Sequence, residues 1–188
     1  MSKVKFPRDT ALAVAGELCA LLKPLCLPER LMCTGSLRRR KELVGDIELN
    51  YIPLFGDERD GLFDTRKFNL ANRWLATLLA GGVITQRKNK RGSKMWGRWN
   101  KLAIHTASGI PVDFFQTTGD NWWNYLVCRT GGAINNTLIA SAAIAKRWAW
   151  DPYSPGFTDE HGQLVRVTRE RDVYDFVGLP YLEPWERK

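Results

Sequence analysis

Three carboxylates and a glycine-serine turn are the residues of this chain best equipped for chemistry. Asp46 and Glu48 stand two positions apart in Asp46-Ile47-Glu48-Leu49, which alternates polar and apolar and runs on into Tyr51 and Ile52. Such alternation reads as a strand, and on a strand residues two apart share a face. Both acids therefore emerge side by side while Ile47 and Leu49 turn to a core. Carboxylates that close repel unless a proton or a cation sits between them. Gly35-Ser36 opens the same stretch, and Arg38, Arg39, Arg40 and Lys41 lie between. Together these parts suit a metal-complexed triphosphate, the acids taking the cation and the turn and arginine forks taking the phosphates. Asp-x-Glu alone is common on a solvated edge strand; the turn and the basic run are what make it a site. Asp113, in Pro111-Val112-Asp113-Phe114-Phe115, is a lone acid in an otherwise apolar strand. A buried unpaired carboxylate is expensive, so Asp113 needs a cation. Either a nearby arginine or a metal shared with Asp46 and Glu48 can supply it, and the shared metal is the reading adopted.

The elements that must hold these residues follow from periodicity and turn chemistry. Asp9 is placed to cap a helix running to Leu22, and Arg30 to Thr34 reads as a short strand feeding the Gly35-Ser36 turn. The helix after that turn points its first amides at whatever Ser36 holds. Pro53 to Gly61 is turn-rich, and Asp64 is placed to cap a helix from Lys67 to Ala80 closed by Gly81-Gly82. Gln86 to Lys94 reads as a mobile basic loop. Met95–Ala107 and Ile110–Thr117 read as a hairpin turning at Ser108-Gly109. Helical pattern then takes over through Trp122-Trp123 and from Ile134 to Trp148, followed by a small hairpin around Glu160-His161-Gly162 and a helix from Arg169 to Val177. The boundary between sheet and helix pattern falls near Gly119.

Composition bounds the function. The chain has 188 residues, 44% apolar and 26% charged, as in an ordinary globule with one core or two small subdomains. No apolar run approaches the ~20 residues that span a bilayer, so no membrane partner is expected. Met1 to Phe6 lacks the apolar core of a secretory signal, which points to the cytoplasm. The four cysteines form no Cys-x-x-Cys pair and read as reduced and mostly buried. His105 and His161 offer no zinc-type spacing. The net charge is +8, yet between Thr65 and Val112 there are ten lysines and arginines and no acid. A segregated basic block is the footprint of a polyanionic partner.

Gly35-Ser36-x-x-Arg39 followed by Gly45-Asp46-x-Glu48 resembles the nucleotidyltransferase superfamily, and specifically the palm of family X, DNA polymerase β-type enzymes. The polymerase branch usually has Asp where Glu48 stands. Asp113 resembles the family's third catalytic carboxylate, and Thr130-Gly131 with Asn136 resembles the Thr-Gly…Asn segment that cups the incoming nucleotide. Arg169 to Pro184, with Glu186-Arg187, resembles the closing signature. The resemblance runs from about residue 30 to the end. It implies an α+β fold: a nucleotidyltransferase palm (mixed β-sheet with flanking helices) over residues 1–119, then a small, mainly helical, thumb-like nucleotide-binding subdomain over residues 120–188. It implies an enzyme in which Asp46, Glu48 and Asp113 hold two Mg2+ ions, with Mn2+ as a substitute. Gly35, Ser36, Arg39 and Gly45 would take the triphosphate, and Arg129, Thr130, Gly131 and Asn136 the rest of the nucleotide. Arg87, Lys88, Lys90, Arg91 and Lys94 would contact nucleic acid.

Three departures matter. Some thirty residues before the turn leave no room for the family's lyase and duplex-gripping modules. Cys128-Arg129 stand where the family has two aromatics beside the sugar, and a flexible Arg129 predicts weak discrimination between deoxyribonucleotides and ribonucleotides, unless it pairs with an acid such as Asp120. No basic residue occurs between Thr130 and Ala145. The expected activity is metal-dependent nucleotidyl transfer from a nucleoside triphosphate to a 3′-hydroxyl of DNA, primer-template or gapped, as in DNA repair, with RNA as the other acceptor. Two alternatives stay open: template-independent addition to nucleic-acid ends or a small acceptor, and an inactive palm that only binds nucleic acid.

Overall fold

The alternation at residues 46–52 becomes the strand Ile47–Pro53, second in a five-stranded sheet of the computed structural model, which describes residues 4–60 and 64–188. Residues 1–3 of the leader reading and Gly61 of the turn-rich piece lie outside the described residues. Across the sheet the strands run Cys26–Cys33, Ile47–Pro53, Pro111–Gln116, Asn100–His105 and Ile84–Gln86. Ile47–Pro53 lies parallel to Pro111–Gln116, and the other neighbours are antiparallel. Ile47, Leu49, Val112, Phe114 and Ala103 have no exposed surface and form one apolar face. Helices Arg8–Leu22 and Leu70–Ala80 contribute Ala11, Leu18, Ala71 and Leu75 to the same buried set. By contact density the residues up to Cys33 and Glu42–Gln116 form one unit, while Thr34–Lys41 and Thr117–Lys188 form another.

Several expected boundaries move. The first helix begins at Arg8 with no side-chain cap, and Asp9 sits in its first turn, where a negative charge suits the helix dipole. The helix expected from Lys67 starts at Leu70, because Asn69 and not Asp64 is its cap: Asn69 Oδ1 accepts from the Asn72 amide at 2.9 Å. Asp64 instead opens the strand Asp64–Asn69, which pairs with Phe55–Asp60. Met95 to Trp99 precede the strand that begins at Asn100. The basic loop is built around Asn89, whose Oδ1 accepts from the amides of Arg91 and Ser93. Cys19 and Cys33 are free thiols 3.9 Å apart, and burial raises the nearby Cys26 to about 12.

Lys101 is 4% exposed on the apolar face, its ammonium donating to Asn72 Oδ1 at 2.6 Å and to the Gly97 carbonyl at 2.8 Å. Burial lowers its pKa from 10.5 to about 8. Between those values the unfolded chain holds a proton that the folded chain has released, so stability rises with pH across that window. Lys101→Met should remove that rise. Thermal melts of both proteins at pH 7.5 and 9.5 check it; an equal pH response in the two would refute the assignment.

The second unit joins helices Trp122–Thr130 and Ala133–Ala145 to a three-stranded sheet of Ala149–Trp150, Gly156–Thr158 and Leu164–Arg166. The expected hairpin around Gly162 thus gains a third strand, and the expected helix 169–177 is the single turn Asp172–Asp175. Val127, Ile139, Ala143, Phe157, Val173 and Tyr174 form its core. Trp122 is buried and Trp123 packs at the core's edge. Among the described residues no helix is long and apolar enough to cross a membrane.

Candidate active site

Strand register decides which acids meet. In the parallel pair Glu48 lies opposite Asp113, and Asp113 lies opposite Leu102 on its other side. The Arg87 amide donates to the Leu102 carbonyl at 2.9 Å. Residues opposite one another across a ladder share a face, so Glu48, Asp113 and Leu102 form a row, with Arg87 at its end. From there Arg87 Nη2 reaches over Leu102 to an ion pair with Asp113 Oδ1. Asp113 is 7% exposed, and this arginine is one of the two kinds of cation the sequence offered it. Arg87, expected among the loop cations that contact nucleic acid, holds this ion pair with its side chain 24% exposed. Lys88, Lys90, Arg91 and Lys94 remain exposed.

Asp46 and Gly45 precede the strand in a bend and are half-buried, as is Glu48. Among the described residues no three acidic, histidine or cysteine side chains gather closely enough to hold a metal ion. The donors of this row are nonetheless all carboxylate oxygens, the chemistry that hard Mg2+ takes in preference to softer metals.

The phosphate-type residues belong to the second unit. Gly35 is buried at φ +60°, a left-handed conformation that glycine adopts without steric cost. It starts the helix expected after the turn, here a single turn, Gly35–Arg38. Ser36 Oγ is buried with no hydrogen-bond partner among the described residues, an orphan that an anionic ligand would satisfy. Arg39 Nη1 donates to the Thr130 carbonyl at 2.6 Å, and Arg38 Nη1 donates to Thr130 Oγ1 at 2.7 Å. Thr130 is thereby gripped by both arginines and is fully buried. A Cβ at Gly131 would lie 2.5 Å from Asn136 Oδ1 and 2.6 Å from Asn135 Nδ2, so both amides would have to shift to admit a side chain. Asn136 Nδ2 donates to the Cys128 carbonyl at 2.9 Å. The two motifs read far apart in the sequence, Gly-Ser-x-x-Arg and Thr-Gly…Asn, are therefore one hydrogen-bonded cluster.

Residues 125–188 match the family model for the DNA polymerase beta thumb. Across 97% of its length the chain is also 25% identical, over 199 aligned residues, to DNA polymerase lambda of Rattus norvegicus. The chain thus resembles family X, DNA polymerase β-like proteins, most directly in its thumb-matching segment. It spans 33% of the length of that rat polymerase.

Within the stretch that matches the thumb, Arg129 departs from expectation. Its Nη2 donates to the phenol oxygens of Tyr125, at 3.0 Å, and Tyr153, at 3.4 Å, and the guanidinium lies 4.9 Å from the Tyr125 ring centre. Burial raises the Tyr125 phenol, which stays neutral and accepts. Arg129 is thus a fixed group rather than a flexible one, and Asp120 faces Arg166 at 3.5 Å instead. From the sequence Arg38 reads as a surface or nucleic-acid contact, and Glu170 has no role. In fact Glu170, 8% exposed, lies between Arg38 and the fully buried Arg187, whose Nη2 is 2.7 Å from Glu170 Oε2. The closing signature contains both Glu170 and Arg187, so the signal was present but its partner in the Gly-Ser turn was not.

Proposed function

We propose that this chain is a minimal DNA polymerase of the family X kind, transferring a nucleotide from a nucleoside triphosphate to a nucleic-acid 3′-hydroxyl, DNA being the first-choice acceptor. The observation that carries this reading is the register that sets Glu48 opposite Asp113 on one face, with Asp46 two residues earlier. Those three acids, all oxygen donors, would hold magnesium or manganese. When bound, such ions neutralise the attacking and leaving oxygens of an in-line displacement. Residues up to Cys33 with Glu42–Gln116 are read as the palm, and Thr117–Lys188 as the thumb-like part, which with Thr34–Lys41 carries the nucleotide cluster.

Each unit has its own task. In the first, Asp46, Glu48 and Asp113 fix charge at the reacting centre, and release of Arg87 would open the Asp113 carboxylate. In the second, Ser36 Oγ and the Gly35 turn bind phosphate oxygens, with Arg39 beside them as the bidentate cation. Thr130, Gly131 and Asn136 shape the sugar side, and Arg129, fixed by two tyrosines, forms a wall there. Lys88, Lys90, Arg91 and Lys94 track the nucleic-acid backbone. Positioning and charge neutralisation carry the rate, as in phosphoryl transfer generally.

Labelled primer extension tests the reading. Magnesium, a primer-template and the four deoxynucleoside triphosphates should give template-directed products. Equal addition without template would move the protein to terminal transfer. No addition on any acceptor, with binding intact, would leave an inactive binding subunit.

A further inference from the structure

The paired strands Phe55–Asp60 and Asp64–Asn69, the first turn of the helix Leu70–Ala80 and Arg98 line an open pocket of about 800 Å³ in the first unit. Four cations line it (Arg66, Lys67, Arg73 and Arg98), against one acid, Glu58. Glu58 is engaged by Arg73 at 3.5 Å, while Arg66 and Lys67 lie across the ladder from Glu58 and Asp57 and, like Arg98, make no ion pair within 4 Å among the described residues. The large aromatics that the first unit exposes among its described residues are Phe55 and Trp99, 53% and 44% exposed. Phe55 lines the pocket. Trp99 carries the Arg98 guanidinium 4.6 Å above its ring and is anchored through its carbonyl, which accepts from the Gln116 amide at 2.8 Å.

An excess of cations in a concave surface flanked by exposed rings is the make-up of a single-strand platform, where phosphates follow the charge and bases stack on the aromatics. A duplex keeps its bases stacked on one another and has no use for exposed rings. An acidic peptide would use the cations and leave the rings idle. We propose that this pocket binds an unpaired nucleic-acid strand, holding its phosphates on Arg66, Lys67 and Arg98 and stacking bases on Phe55 and Trp99. It rests on the reading of the chain as a nucleic-acid polymerase, and assigns unpaired template or overhang to a surface separate from the Lys88–Lys94 turn.

Fluorescence anisotropy on the full chain tests it, using an oligo-dT of about 16 nucleotides, an abasic phosphodiester oligomer of equal length, and polyglutamate. The wild type should bind oligo-dT at least about tenfold more tightly than either ring-free polyanion. Arg66→Gln with Arg98→Gln should weaken oligo-dT binding about tenfold and flatten the log–log salt slope by about 1.4, two single-strand phosphate contacts. Phe55→Ala with Trp99→Ala should abolish the preference for oligo-dT over the abasic strand and leave the slope unchanged. All four side chains are exposed, and circular dichroism verifies the fold of each variant. Equal binding of oligo-dT and polyglutamate, or variants indistinguishable from wild type, would overturn the proposal. A wild type that binds oligo-dT in this way yet extends no primer on any acceptor speaks against the polymerase reading and leaves this surface standing.

Discussion

Asp113→Asn should lower nucleotide incorporation by at least about a hundredfold, the range expected when a charge aimed at the transition state is removed. Asparagine keeps the shape of the side chain and its place opposite Glu48, so the loss would be one of charge. It would also leave Arg87 without its carboxylate. Arg87 is only partly exposed, so the variant should lose roughly 1–3 kcal/mol of stability by urea denaturation, the cost of stranding a hydrogen-bonding partner. Activity and stability are thus expected to fall together, and a second variant separates them. Asp46→Asn should match the lost activity, and Glu48→Asp should retain more than either, since the resembling polymerases carry Asp at that position. Incorporation above about a tenth of wild type in either asparagine variant would remove these acids from the chemistry.

Glu170→Ala should be the most destabilising single change in the second unit, at roughly 3–5 kcal/mol. It would leave Arg187, with no exposed surface, and the largely buried Arg38 facing one another without a counter-charge. Desolvated cations that lose their anion cannot recover hydration without unfolding their surroundings. The sharper measurement compares Glu170→Ala with Glu170→Leu combined with Arg187→Met. Replacing a buried ion pair by apolar residues of similar volume is often close to neutral, so the double variant should recover a large part of the loss. If Glu170→Ala alone melts as wild type does, the network is not what fastens the Gly35–Arg38 turn to the thumb-matching segment.

What the sequence disclosed depended on how local the signal was. The strand Ile47–Pro53 was readable because its alternation is strict, and alternation also put Asp46 and Glu48 on one face. The pairing of Phe55–Asp60 with Asp64–Asn69 was not, because Gly56, Asp57, Glu58 and Lys67 are poor strand formers one by one. Its ladder is instead favoured by opposite charges directly across it, Asp57 with Lys67 and Glu58 with Arg66, a contribution that appears only once the strands are paired. Arg129 and Tyr125 sit four apart on one helix, so their contact was open to a helical reading. The bond from Arg38 to Glu170 spans 132 positions, and no periodicity reports it. Arg87 falls between these cases: its reach to Asp113 needs the register of three strands, which the hairpin turn alone does not fix.

That reach also sets an order of assembly. Arg87 and Asp113 are 26 positions apart, within a run of consecutive antiparallel strands that can close as the chain folds on itself locally. Glu48 must return to Asp113 from beyond that whole run and through a parallel ladder, the slower kind of pairing because a longer loop closes before any contact rewards it. By loop closure alone, Asp113 is expected to meet its counter-charge before a second carboxylate is brought alongside, an order that spares the chain from burying two anions in a single step.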